Sequence, residues 1–379
     1  MYYDAIVIGA RCAGAATAMQ LARGGLKVLV LDRAQKGSDT MSTHALMRGA
    51  VMQLDRWGLL EKVIASGAPE VRRTRFFYGD DLIDVPIRPA HGTQSLISPR
   101  RYILDSVLVD AAEAAGAEVR FGTSFVDVIR DDDGRVHGVT FDGQARRECA
   151  YAPIVIGADG RRSTVARRVG SRVQLKAEHA THCIYAYFDG VADGGYQWFY
   201  REGLAAGAIP THNSQHCVFV SATPDRLRSH VKTFGAESAL RRLVNETSPD
   251  FGRQLESASA IERPVIFGGD HGFLREAAGP GWALVGDAGY FKDPLTAHGI
   301  TDAFRDAELL SQTILNESSL YAFEDARNAS SIELFELTNA IASFEWSLDE
   351  LKSMHLRLNE IMKVEQALIA RDENVPLAA

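Results

Sequence analysis

Cysteine is scarce in this 379-residue sequence, and the four present, Cys12, Cys149, Cys183 and Cys217, lie far apart with no C-x-x-C pair. That spacing excludes a zinc ribbon and a secreted disulfide framework. Positive charge is not in surplus either: 41 Lys plus Arg stand against 49 Asp plus Glu, a net charge of -8. Phosphate backbones are therefore poor partners, and nucleic acid is not expected. The most apolar stretch near the N-terminus is broken by Arg11 and Arg23, so no membrane span is expected there. The chain also opens without a basic segment and a cleavable apolar run, which points to a cytoplasmic, reducing compartment. No internal repeat or low-complexity linker is visible. At 46% hydrophobic and 24% charged residues, the composition is that of an ordinary globular protein of roughly two domains.

What is present begins with a β-turn-α-β unit. Residues 4–8, DAIVI, are β-rich; strong helix formers fill Ala15 to Ala22; Gly24-Gly25 stop the helix; and KVLVLD at 27–32 is a second buried strand. A helix is expected over 46–66, with an apolar stripe at Leu46, Val51, Leu54 and Trp57. Strand, turn and strand follow at 75–87, a helix at 101–115, and strands at 117–121, 124–130 and 135–141. YAPIVIGADG at 151–160 is another buried strand ending in a turn. From 176 to 265 alternating stretches such as YQWFYREG suggest antiparallel strands, with a helical patch at 225–247. Parallel texture returns at WALVGDAG (282–289), and the remainder is mainly helical. The fold class expected is α/β, a Rossmann-like domain with an inserted antiparallel sheet and C-terminal helices.

Three segments carry chemistry. Ile8-Gly9-Ala10-Arg11-Cys12-Ala13-Gly14 puts glycine where a strand turns tightly into a helix, and Asp32-Arg33 ends the second strand. A dinucleotide site needs that turn, free backbone N–H groups at the helix start, and an acid for a ribose hydroxyl. Arg11 stands where the middle glycine usually is, so its side chain must turn away from the ligand or meet a phosphate. Asp159-Gly160 follow one later buried strand, and Gly286-Asp287 follow another, with a helix starting near Gly299. Each acid alone could cap a loop; the three in this order are far more specific.

With these motifs, roughly residues 1–320 resemble the flavoproteins of the para-hydroxybenzoate hydroxylase and geranylgeranyl reductase superfamily. The resemblance implies FAD as cofactor. It assigns Asp287 to the ribityl chain, and Gly299 and Ile300, after Pro294, to the flavin pyrimidine at a helix N-terminus. That placement suits the negative charge that develops on a reduced flavin. Arg101, opening an R-x-x-L-D helix, implies a further FAD contact, as does the backbone of Val126 near the adenine; Asp159 is a lesser site. The implied organisation is an FAD-binding domain of 1–75, 96–175 and 266–320, a substrate sheet of 76–95 and 176–265, and a helical segment of 321–379.

The loop 38–49 falls where relatives pass beside the flavin and offers Ser42, Thr43, His44 and Arg48. His44 is its neutral-pH acid–base candidate, and His298 in the TAHGI turn is another. A helix-capping role for His44 has equal standing. The reductase branch reads like G-E-G-I where this chain has Ala297-His298. Tyr196, Trp198 and Tyr200 alternate on one strand, as a substrate wall or as sheet packing; the reductase branch has a similar aromatic strand, but its proline is replaced here by Arg201. The W-x-W-x-I-P motif of flavin halogenases is missing, which disfavours halogenation. The C-terminal stripe Phe335, Ile341, Phe344, Leu348, Leu351, His355 and Leu358 reads as an intramolecular brace or lid.

The leading expectation is an FAD-dependent monooxygenase that passes one oxygen of O2, through a flavin C4a-hydroperoxide, to a small or medium aromatic or polyketide-like molecule. NAD(P)H is the expected reductant. With no second glycine-rich fingerprint, that nucleotide binds transiently or a partner flavin reductase supplies electrons. The alternatives are an FAD-dependent ene reductase of the geranylgeranyl type and a flavin-free binder of the same architecture. Oligomeric state is left open.

Overall fold

The computed structural model describes residues 1–143 and 146–371. Its organising element is a six-stranded sheet. Strand Ala5–Ile8 pairs in parallel with Val28–Leu31 on one side and Val155–Gly157 on the other, and the latter pairs in parallel with Trp282–Leu284. Glu118–Arg120 and the antiparallel Ala278–Gly279 form the edges. The central strands are buried along their whole length, which is why they read as unbroken apolar runs.

Eleven helices are described. The first is α1 (Cys12–Arg23), which Gly24 and the positive-φ Gly25 end. The helix expected over 46–66 is two: α2 (Arg48–Arg56) and α3 (Leu60–Ala65). Gly58, at φ +70, breaks it; Leu46, Val51, Leu54 and Trp57 are nonetheless buried together. Then come α4 (Arg101–Ala114), α5 (Thr164–Val169), α6 (Pro224–Phe234), α7 (Ala236–Thr247) and α8 (Pro249–Glu256). The chain closes with α9 (Gly299–Leu315), α10 (Leu320–Ala342) and α11 (Leu348–Arg371). No described helix is long and apolar enough to cross a membrane.

Helices α1, α4 and α9 pack on one face of the central sheet. The other face is covered by a three-stranded antiparallel sheet of Ser124–Arg130, Val136–Asp142 and Arg147–Tyr151, through Val136, Val139, Phe141 and Ala150. Its last strand is absent from the sequence expectation, because RECAY alternates too weakly to announce itself.

A second, eight-stranded sheet is built mainly from His182–Asp189, Tyr196–Arg201, Leu204–Pro210 and His216–Ala222, antiparallel to one another. The hairpin Arg73–Tyr78/Asp81–Pro86 joins its edge, pairing in parallel with Tyr196–Arg201. The period of two divides that strand's side chains. Phe199 turns to α7 and α8, stacking on Phe77 and Phe251, while Tyr196, Trp198 and Tyr200 turn to the opposite face. There they meet the hairpin of α10 and α11: Ile341, Phe344, Trp346 and Leu351 pack into the same cluster. The C-terminal stripe is thus spent inside the molecule.

His355 of α11 sits against Tyr78 and Tyr200, and its Nδ1 shares a hydrogen bond with the Tyr78 hydroxyl at 2.7 Å. Burial lowers this imidazole to about 4. A histidine depressed in the folded state favours folding while neutral. Its contribution is therefore complete above the unfolded value near 6.5 and lost as pH falls from there toward 4. His355→Phe should make stability, measured by denaturant unfolding, fall less between these pH values, by on the order of 1–3 kcal/mol relative to the parent. Parallel pH curves for the two proteins would show that the ring does not resist protonation.

Candidate cofactor and active site

The first motif folds through backbone sterics. Gly9 lies at φ +107, and a Cβ there would come within 2.4 Å of the Ala158 carbonyl oxygen. A Cβ on Gly14 would sit 1.8 Å from the Gly9 carbonyl oxygen. Both glycines are therefore required for α1 to start this close to the strand. Arg11 is the N-cap residue of α1 but donates no cap, and no acid occupies the first turn. Among the described residues no side chain accepts from the first N–H groups of α1, those of Cys12, Ala13 and Gly14 among them, at the positive end of a helix dipole. The Arg11 guanidinium turns to the loop, donating to the Asp39 carbonyl at 3.3 Å. In this position it leaves the backbone clear.

Asp32 accepts the N–H of Ala10 on one oxygen and that of Ala34 on the other, both at 2.7 Å. It lies beside a cleft lined by Ala10, Arg11, Ala34, Gly37, Ser106 and Phe121. Arg33 is exposed. Arg101, at the start of α4, pairs with Asp105 at 3.0 Å, and Asp105 also accepts the Cys12 thiol at 3.2 Å. Arg101 thus reaches the fingerprint turn through a buried carboxylate that the sequence reading did not single out.

Asp287 follows the strand Trp282–Leu284. Gly286 before it adopts φ +57, and a Cβ there would lie 2.9 Å from the Ala13 methyl group. This brings the Asp287 turn onto the first turn of α1. The Asp287 carboxylate takes no hydrogen bond from any described residue, and burial raises its pKa although Arg101 and Lys292 oppose the shift. Pro294 opens a short 3-10 turn, Ala297 follows at φ +50, and α9 begins at Gly299. A Cβ on Gly299 would meet nothing within 4 Å, and His298 gives α9 no side-chain cap. Ile300 beside it is half-buried.

The loop 38–49 lies between these turns and the second sheet. Ser42 and Thr43 are half-buried; the Ser42 N–H points at the Tyr185 hydroxyl at 3.3 Å, and the Ser42 hydroxyl accepts the His44 N–H at 2.9 Å. His44 has φ +46, is 1% exposed, and places Nε2 3.1 Å from the Tyr187 hydroxyl. Burial, reinforced by Arg100, lowers it to about 3. The loop geometry thus delivers a buried ring held neutral. Arg48 is also engaged within the protein. Its guanidinium donates to the carbonyls of Arg88 (2.8 Å) and Ala90 (3.3 Å) and to the Thr93 hydroxyl (2.9 Å), which fastens the loop 88–93.

Two other expected positions have local structural roles. Asp159 caps α5, accepting the N–H of Thr164 (2.6 Å) and Val165 (3.1 Å) and the Ser163 hydroxyl at 2.5 Å. Its turn backs the site through Ala158, whose carbonyl lies beneath Gly9 and whose methyl group faces Gly14. Val126 sits at an irregularity in the pairing of Ser124–Arg130 with Val136–Asp142.

Tyr196, Trp198 and Tyr200 are each no more than 6% exposed. The Tyr196 hydroxyl donates to the Ile97 carbonyl at 2.8 Å, Trp198 meets Phe219 edge-on, and Tyr200 stacks on Tyr78. They belong to one cluster with Ala45 of the loop 38–49 and with Phe291, Leu295 and Ala297 of the turn before α9. Arg100, stacked 3.6 Å over Tyr187 and paired with Asp39 and Glu262, borders the same loop. Nothing in its sequence context distinguishes it from Arg101.

Residues 2–319 match the FAD binding domain family, and the chain belongs to that family. It is 28% identical over 331 residues to the menaquinone reductase of Mycolicibacterium smegmatis, covering 82% of this chain and 75% of that protein. It is 26% identical over 330 residues to the digeranylgeranylglycerophospholipid reductase of Methanocella arvoryzae, covering 83% and 78%. Among solved structures, the flavin-dependent brominase Bmp2 superposes with a TM-score of 0.82 at 20% identity, over 97% of this chain and 94% of that one. PqsL of P. aeruginosa in complex with 2-aminobenzoylacetate gives 0.72 at 19% identity, over 90% and 94%. These structural likenesses establish a shared fold.

The residues present fit FAD. An uncapped α1 would take the pyrophosphate, Asp32 and its cleft the adenosine side, and Asp287 a ribityl hydroxyl, while the open Gly299 leaves room at the start of α9. A desolvated carboxylate without a donor costs the empty protein stability. Because its folded pKa is raised, that cost appears as pH rises through the unfolded value and is full above the folded one. Asp287→Asn should therefore leave the apoprotein at least as stable at pH 7 while weakening FAD, titrated by flavin fluorescence, about tenfold or more. Unchanged FAD affinity would remove Asp287 from the site. Gly14→Ala should destabilise the apoprotein by about 2 kcal/mol or more in thermal unfolding, since helix and turn must separate; an unchanged melting temperature would contradict the contact.

Proposed function

We propose that this protein is an FAD-dependent monooxygenase for a small or medium aromatic or polyketide-like substrate held against Tyr196, Trp198 and Tyr200. The observation that carries the reading is the single apolar cluster joining that aromatic face to the loop 38–49 and the turn before α9. A planar apolar substrate suits these rings, which stack or meet edge-on at little conformational cost. The 2-aminobenzoylacetate in complex with PqsL is a compound of this general type.

Bound FAD supplies the redox chemistry. The chain's own residues do the rest. The α9 N-terminus, without a side-chain cap, would stabilise negative charge on a flavin held there. The α10–α11 hairpin covers the aromatic face and excludes water. The neutral His44–Tyr187 pair offers a hydrogen-bonded proton position that stays uncharged at neutral pH. Electrons come from NAD(P)H or from a partner flavin reductase.

Hydride transfer to an isolated double bond is the second reading, favoured by the two named reductases at 26–28% identity. Against it stand Ala297-His298 and Arg201, where the reductase pattern has other residues. Turnover of a panel of aromatic and isoprenoid substrates under isotopically labelled dioxygen separates the two. The proposal expects one labelled oxygen atom in an aromatic product and no turnover without oxygen. Anaerobic saturation of an alkene would establish the reductase instead. Failure to take up FAD would overturn both.

A further inference from the structure

At the start of α9 lies a buried cluster of charges that joins it to the far end of the chain. His298 is 1% exposed in its side chain and lies with Nε2 2.7 Å from Oε2 of Glu365, itself 11% exposed. Glu365 belongs to α11, beyond the part of the chain that matches the family. Its other oxygen faces Arg305 at 3.4 Å, and Arg305 in turn pairs with Asp302 at 2.9 Å and Asp306 at 3.1 Å. The Lys292 ammonium, also buried, pairs with Asp302. His298, Asp302 and Glu365 are close enough together to hold a metal ion. Lys292 and Arg305 already neutralise those carboxylates, however, and a cation would have to displace both.

The hydrogen bond fixes the histidine. Glu365 is held low, to about 2, by His298, Arg305 and Lys292, so it is an ionised acceptor. Burial lowers His298 and keeps the ring neutral. A neutral imidazole facing a carboxylate through Nε2 must carry its proton there. Nδ1 is then a lone pair, and it is buried without a partner among the described residues. This lone pair lies one residue before the open Gly299.

We propose that Glu365 is a positioning residue: from the C-terminal helix it locks His298 in the Nε2–H form and so presents Nδ1 as a proton acceptor at the start of α9. An N–H or O–H donor of the bound flavin or substrate is what this acceptor takes. The arrangement follows the logic by which a carboxylate orients a catalytic or metal-bound histidine. It also makes the active-site acceptor depend on α11 being docked over the aromatic face. The inference rests on the FAD reading for its catalytic consequence, but its structural half does not.

Nitrogen NMR of the histidine rings of the full chain, with and without FAD, reads the tautomer directly, with a His298→Gln variant for assignment. The parent should show the Nε2–H form of His298 in both states. Glu365→Ala should mix the tautomers and lower kcat about tenfold with little change in KM, whereas Glu365→Gln, which keeps an acceptor oxygen, should restore both. Hydrogen exchange of α11 reveals whether the alanine variant undocks the helix; if it does, the glutamine variant alone decides. An Nδ1–H or doubly protonated His298 in the parent overturns the proposal. So does an unaltered tautomer in a docked Glu365→Ala, or a Glu365→Gln that keeps the tautomer but loses turnover. Absence of FAD binding would instead defeat the functional reading while leaving the tautomer result standing.

Discussion

The close approach of the first turn of α1 to three backbone turns is the constraint on which the rest depends. Gly14 touches the Gly9 carbonyl, Gly9 lies under Ala158, and Gly286 abuts Ala13. Three strands distant in sequence therefore end around one helix start. That convergence creates a helix start without a side-chain cap among the described residues, next to two acids, Asp32 and Asp287. Side chains there would fill the space or cap the helix. Their absence leaves a backbone surface suited to an anionic, hydroxyl-rich cofactor.

A second constraint is the division of faces on the strand Tyr196–Arg201. Phe199 anchors the sheet to its own helices, so the sheet has a core independent of the FAD-binding part. The opposite aromatic face is left for the interior between sheet, cofactor loops and C-terminal hairpin. Such a face needs a cover when no substrate is present, and α10 and α11 supply it. The cover is tied down by polar contacts at both ends, Tyr78 to His355 and His298 to Glu365.

Charge is handled differently in the two halves of the site. Around α1 and Asp287 acids are left with spare acceptor capacity, and Asp287 carries a desolvation cost. Around α9 the acids Asp302, Asp306 and Glu365 are all paired with buried cations. A buried carboxylate without a partner favours a ligand that donates to it; a paired one serves to hold geometry.

The cofactor cradle was legible in the sequence because its demands are local. A positive φ, a close backbone approach or an acid ending a strand is met by one residue at one position, so Gly9, Gly14 and Asp32 could be named from spacing, and Asp287 and Gly299 from the resemblance that the motifs carry. The alternating rings of 196–200 were legible for the same reason, through the period of a strand. Tertiary structure alone decided where side chains with long reach would go. Arg48 fastens a loop forty residues away, Asp159 turns back to cap α5, Asp105 links Arg101 to Cys12, and Glu365 crosses from the last helix to His298. No period or motif encodes such pairings, since each depends on how two separately folded elements come to lie side by side. The sequence determined by itself the glycine turns that bring three strand ends to one helix start, because glycine sterics are written residue by residue. Packing decided which charged groups would face it, because a buried ion takes whatever partner the assembled core brings within reach.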